Sequence, residues 1–274
     1  MKKKIKIDPA VLILSVIALS IVVIIIVASL FAGNKSGDPK TTTSPPEITF
    51  NEIPDVPSRE EIKVNHSSKT TEAAYENNGI EYIYSSVVYP YFEGGNEDAT
   101  AKINTAIQEF VSERVTIKSY EKVNAEEAYN RAEQNGISFI QFEFVTRVES
   151  VYVKNGYLSV MFTRVKTVGM NEPSEDITTF CFDLISGNEV DISTFINIDA
   201  DSARAFILDT FSQHININPG LYYNDALDTL PDVIDLKSFY LTEDGLVLYI
   251  NPDIITPSVM GIRDFTVDYD KIGH

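Results

Sequence analysis

Chemistry in this chain would have to come from carboxylates, because other reactive residue types are scarce. Acidic pairs stand close together at Glu126 and Glu127, Glu189 and Asp191, and Asp199 and Asp201. Two carboxylates about 5–10 Å apart across a cleft can cleave a glycosidic bond, one as acid and the other as base or nucleophile. Proximity in sequence does not create that geometry, and with 40 Asp and Glu in the chain such pairs arise by chance. Asp199-Ala200-Asp201 lacks the later Gly and Glu of a calcium loop and suits a helix cap instead. The histidines are His66, His214 and His274, and the one cysteine is Cys181. They show none of the spacings of a zinc site, and no Gly-x-Ser-x-Gly elbow activates a serine. Catalytic residues, metal ligands and cofactors are therefore not expected, and the chain reads as a non-enzyme.

The elements that position these residues begin with an uncharged run from Ala10 to Ala32. As a helix it would be roughly 34 Å long, enough to cross a bilayer and longer than a cleavable signal core. Lys2, Lys3, Lys4 and Lys6 precede it, so the positive-inside rule puts residues 1–9 in the cytoplasm, residues 10–32 in the cell membrane and the rest outside. The whole chain has a formal charge of −18; the four lysines and Asp8 ahead of the run contribute +3, which leaves −21 beyond it. Such a field disfavours nucleic acid and anionic lipid and steers a cationic partner inward. Cys181 has no second cysteine to pair with, so the fold rests on an apolar core, in which "TTFCFDL" would bury that thiol.

Residues 33–68, rich in Pro, Thr and Ser, read as a flexible linker, and residues 69–274 as an extracytoplasmic domain with parts at 69–136 and 137–274. Asn78-Gly79 turns a hairpin between Thr70–Tyr75 and Ile80–Val88. Ile103, Ile107, Phe110 and Val111 recur at helical spacing within about 98–119, and a shorter helix runs from a capping Asn124 to Gly136. Strands follow at 137–153, whose length calls for a bend or bulge, at 157–167 and at 177–184. After a turn and short strand in "SGNEVDISTFI", Asp199 caps a helix whose Ala203, Phe206, Ile207, Thr210 and Phe211 share a face. A short helix in "YYNDALDTLPDVI", a hairpin turned at Glu243–Gly245 and a strand in "DFTVDYDKI" complete the chain. The sum is an α+β fold: a largely antiparallel sheet with helices packed on one face, preceded by a single transmembrane helix.

"YSSVVYPYFEGGNEDATAKINTAIQEFV" resembles the tyrosine-proline strand and asparagine-bearing helix of the extracytoplasmic domain shared by RsiV-type anti-sigma factors and PdaC-type peptidoglycan deacetylases. "YLSVMFTRVKTVGMNEPSEDITTFCFDLISGNEVDISTFI" and "FYLTEDGLVLYINPDIITPSVMGIRDFTVDYDKI" are similar to its later part. The matching positions include Tyr89, Pro90, Asn104, Phe182, Asp183, Gly187, Pro252, Pro257 and Gly261. The nine residues before the span are too few for a sigma-binding segment, so an anti-sigma role is not expected. The sequence runs to His274 just after the shared module, so a deacetylase activity is not expected either. The family's Gly-Gly-Ala-His-like loop reads here Val168-Gly169-Met170-Asn171-Glu172-Pro173 and has lost its histidine.

The chain contains 14 tyrosines and no tryptophan, and exposed tyrosines offer rigid area with a polar tip for recognition. The resemblance implies a binding or sensing module for a cell-wall component or a cationic protein such as lysozyme, with Tyr89, Tyr91, Asn171 and Glu172 at the partner surface. The alternative is a cell-wall hydrolase or accessory enzyme using paired carboxylates, one of which would be buried in a cleft with a raised pKa.

Overall fold

The computed structural model describes residues 62–272. The membrane span expected at 10–32, the cytoplasmic tail, linker residues 33–61 and His274 lie outside the described residues. Among the described residues no helix is long and apolar enough to cross a membrane.

Asn78 and Gly79 both take positive φ, 54° and 76°, which is the two-residue turn that matches strand twist. They join β1 (Asn65–Asn77) to β2 (Ile80–Glu93). The linker expected to reach residue 68 therefore ends earlier, since Asn65–Ser68 already pair with β2. A register shift at Tyr75/Glu76 leaves Tyr82 unpaired, and Tyr82 and Ile83 are both buried, as a bulge allows.

β2 runs past Val88 through Pro90, farther than expected. Phe92 sends its N–H to Oδ1 of Asn104 at 2.9 Å, so that edge of β2 faces away from β1. Pro90, two residues earlier, has its nitrogen on the same edge, where pairing with the next strand has ended at Val88–Arg147. A proline there removes no ladder bond.

Asn96 caps α1 (Glu97–Val115) by accepting from the N–H groups of Asp98 and Ala99. α2 spans Ser119–Asn135. Asn124, expected as its cap, lies inside the helix: the carboxylate of Glu121 takes the N–H of Lys118 at 2.7 Å and starts α2 six residues earlier. Gly136, at φ 64°, ends it. The two helices form the crossover that parallel strands require, because β2 pairs in parallel with β3 (Phe142–Lys154). β4 (Tyr157–Thr167) and β5 (Ser174–Asp183) complete an otherwise antiparallel sheet in the order β1-β2-β3-β4-β5. β3 starts at Phe142, not 137, and the expected irregularity falls at Val148/Ser150.

The short strand expected after β5 is a single bridge between Phe182 and Glu189, followed by the one-turn helix α3 (Ile192–Phe195), which Asp191 caps. Asp199 caps α4 (Ala200–Ile217) as expected, and α4 buries Ala203, Ile207, Phe211 and Ile215 in steps of four. α5 (Ala226–Val233) precedes a separate antiparallel sheet of β6 (Phe239–Leu241), β7 (Leu246–Ile250) and β8 (Arg263–Val267).

The expected single sheet with helices on one face is thus corrected to two sheets. Neighbouring residues on a strand point to opposite faces. Leu158 and Phe182 pack with Ile103, Ile107 and Phe110 of α1, whereas Tyr157 and Cys181, each one position away, pack with Phe195, Phe211 and Leu248 of the second layer. One face of the large sheet is covered by α1 and α2 and the other, at β4 and β5, by the second sheet and its helices.

Two asparagine amides finish strand edges. Asn104 also donates to the Phe92 carbonyl at 2.9 Å, and Asn251 treats Ile177 in the same way, accepting its N–H at 2.8 Å and donating to its C=O at 2.9 Å. Each amide replaces a missing strand neighbour at one residue.

Candidate binding site

An open groove of about 620 Å³ runs between the end of β2 and the outer flank of α1, lined by Tyr89, Tyr91, Asn104, Thr105, Gln108 and Glu109. Tyr89 contributes less surface than expected: only 7% of it is exposed, and its hydroxyl donates to Oε1 of Gln108 at 3.3 Å. Tyr91 is half-buried, with the Lys69 ammonium 3.2 Å from its ring centroid, a cation–π pair that fixes the ring. Gln108 and Glu109 bring amide and carboxylate groups to the opposite wall. The groove therefore offers an aromatic face, an acceptor-rich wall and a negative charge, which suits a polyhydroxylated or cationic ligand. The signal for Gln108 lay in its place one turn beyond Asn104 on the flank of the apolar stripe; Lys69 carried none, because it reaches Tyr91 only through strand pairing.

Asn171 and Glu172 lie elsewhere. Both are exposed in the tight turn from β4 to β5, where the Asn171 N–H bonds the Val168 carbonyl at 3.2 Å. Asn171 borders a second hollow, of about 350 Å³, with Arg131, Ile137, Ile140 and Met170. A Cβ on Gly169 of that turn would stand 3.7 Å from the Phe142 ring, and Phe142 pairs with Ile83. Tyr89 is six residues farther along β2, roughly 20 Å away at about 3.3 Å per residue. The four expected residues thus form two separate surfaces.

The acidic pairs are tied into the structure. Tyr75 and Asn77 both donate to Glu126 and hold its carboxyl below the ordinary range, while Glu127 meets Arg131 in an exposed ion pair. Glu189 pairs with Lys237 at 2.9 Å. Burial works against the charge on Asp191, but hydrogen bonds from Ser193 and Thr194 outweigh it and lower its pKa. Ser202 lowers Asp199 through its hydroxyl and its N–H. Burial pushes the Cys181 thiol far up, which keeps it protonated. Among the described residues no group of three or more His, Cys, Asp and Glu could hold a metal ion.

His66 sits on β1 with its ring centroid 5.9 Å from that of Phe92. His214 is built into the second layer. Its Nε2 faces the Asn218 amide nitrogen at 3.2 Å and accepts from it, so Nδ1–H donates to the Tyr222 oxygen at 2.7 Å. Burial first, then the charge of Arg263, lowers its pKa below the usual value. The unfolded chain therefore binds this proton more tightly, and the stability His214 contributes is present above about pH 6.5 and lost as pH falls through that value toward the folded one. Urea unfolding at about pH 7.5 and about pH 5.5 should show a larger loss of stability for the wild type than for His214→Gln; equal losses would refute the assignment.

The geometry defines an α+β domain of two stacked sheets with an open groove along its first helix. Residues 199–270, from the cap of α4 through β8, match a family model described as "Protein of unknown function (DUF3298)". Two solved structures resemble the chain. A crystal structure of a DUF3298 family member from Bacteroides fragilis NCTC 9343 shares 15% identity at a TM-score of 0.53, covering 78% of this chain and 93% of that one. A DUF3298 family protein from Pseudomonas aeruginosa PAO1 shares 9% identity at a TM-score of 0.44, covering 78% and 94%. The first likeness is one of fold. No curated protein matches the chain.

Proposed function

We propose that this chain is a single-pass protein of the cell membrane, anchored through residues 10–32 with its N-terminus in the cytoplasm. Its extracellular domain is a binding or sensing module for a cell-wall component or a cationic protein such as lysozyme. The observation that carries this reading is the groove between β2 and α1, where Tyr91 and Glu109 are presented together on a strongly acidic chain. The negative field would steer a cationic partner, and the tyrosine and the amides of the groove would supply specificity. The likeness of the strand and helix that form this groove to RsiV-type domains supports the choice of lysozyme. The downward-shifted carboxylates Glu126, Asp191 and Asp199, each tied to structural hydrogen bonds, favour binding over hydrolysis.

Calorimetric titration of the full chain in a non-ionic detergent with lysozyme, at low and high salt, tests this. Saturable binding of defined stoichiometry that survives high salt is expected, weakened about tenfold by Tyr91→Ala. Weak association abolished by modest salt would reduce the interaction to net charge and overturn the proposal.

A further inference from the structure

On the face of the large sheet that carries α1 and α2, two guanidinium groups are gathered, neither in an ion pair among the described residues. Arg164 of β4 lies over the Phe144 ring, 5.4 Å from its centroid, and its Nε is buried without a hydrogen-bond partner among the described residues. Arg114, in the last turn of α1, reaches the same face and donates from Nη2 to Oγ1 of Thr178 at 3.1 Å. Thr178 is two residues from Asp176, which pairs with Arg164 across the β4–β5 ladder. Burial, followed by the charge of Arg114, lowers the pKa of Arg164, outweighing the charges of Asp176 and Glu121, which raise it.

The nearest carboxylates are committed elsewhere. Asp176 forms its ion pair with Lys166, at 3.6 Å. Glu121 holds the N–H of Lys118 at the start of α2 and receives the Tyr120 hydroxyl. Among the described residues, neither arginine has a carboxylate within ion-pair distance. Partly buried like charges whose counter-charges lie beyond ion-pair distance are costly, and guanidinium forks match the paired oxygens of a phosphate. The clustering stands out in a chain of formal charge −18, and no part of the proposed groove is involved.

We propose that Arg114 and Arg164 form a receptor for a phosphate group, set between the last turn of α1 and strands β3–β5. It is separate from the tyrosine-lined groove and does not depend on it.

The test is calorimetric titration of the full chain in non-ionic detergent with sodium phosphate, dimethyl phosphate and sodium acetate, at matched ionic strength and neutral pH. Saturable phosphate binding is expected, at least tenfold tighter than acetate and weakened at least tenfold by Arg164→Gln or Arg114→Gln. Preference for inorganic phosphate would assign a free or terminal phosphate, and preference for dimethyl phosphate a diester-linked one. Because Arg164 also packs on Phe144, Lys166→Gln gives an independent arm: it alters neither arginine but releases Asp176 to pair with Arg164, so it should weaken phosphate binding while circular dichroism stays unchanged. Equal affinity for acetate, no saturable phosphate binding, or unaltered binding by the Arg164→Gln and Lys166→Gln variants would each overturn the proposal.

Discussion

Asn104→Ala should destabilise the domain by about 2–4 kcal/mol, since it strips both partners from the main chain of a buried residue. Phe92 is 1% exposed, and its N–H and C=O each bond the Asn104 amide at 2.9 Å. The amide sits where β2 meets α1, at the contact that also buries Ile103 and Ile107. Asn104→Asp should not rescue it. One carboxylate oxygen could still accept the Phe92 N–H, but the other would face the Phe92 carbonyl, acceptor against acceptor. Urea unfolding followed by circular dichroism measures the loss; an alanine variant as stable as the wild type would mean that the amide is not what closes this edge.

The second large effect is expected at Gly187, in the turn between β5 and α3. Its φ is 73°, and a Cβ built there would stand 2.5 Å from the Ala99 carbonyl oxygen and 2.7 Å from the Ala99 Cα. Those atoms are main chain in the first turn of α1 and cannot swing aside. The turn is also held to α1 by Asn96, which donates to the Ile185 carbonyl at 3.1 Å, and by Lys102, which donates to the Ser186 carbonyl at 3.0 Å. Gly187→Ala therefore has to strain the turn or lift it from the helix, at a cost of about 3 kcal/mol. Thermal unfolding with Asn96→Ala alongside separates the two routes. If the turn lifts, the double variant should lose less than the sum of the singles, because the Asn96 contact is already gone. Full stability of Gly187→Ala would show that the close approach to Ala99 is not obligatory.

Much of the fold was legible because its signals are local. The Asn78-Gly79 turn, the Ile103–Val111 stripe of α1, the cap at Asp199 and the strand β4 all follow from backbone preference or from the period of apolar residues. The errors arose where a local cue had a competitor. Asn124 is a good cap by type, but Glu121 could serve the N–H of Lys118 earlier in the chain, and the helix extended to use it. Asn65–Ser68 look like linker by composition, yet strand pairing with Pro90–Glu93 orders them. The candidate site was half legible. Tyr89 and Tyr91 do border a groove, but Tyr89 is largely covered, and Gln108 and Lys69 enter only when α1 and β1 are brought against β2.

By itself the sequence determined most of the segments that become helices and strands and which of their faces seek cover, since both depend on residues within one or two turns of each other. Only the tertiary structure decided that two sheets, not one, share the core. It also decided that Tyr91 and Asn171 stand at opposite ends of the large sheet, and that Asn104 and Asn251 each complete a strand edge. Alternation along a strand fixes that Leu158 and Tyr157 point in opposite directions, but not which layer meets each of them. That choice belongs to contacts between segments dozens of residues apart, for which no local pattern carries a mark.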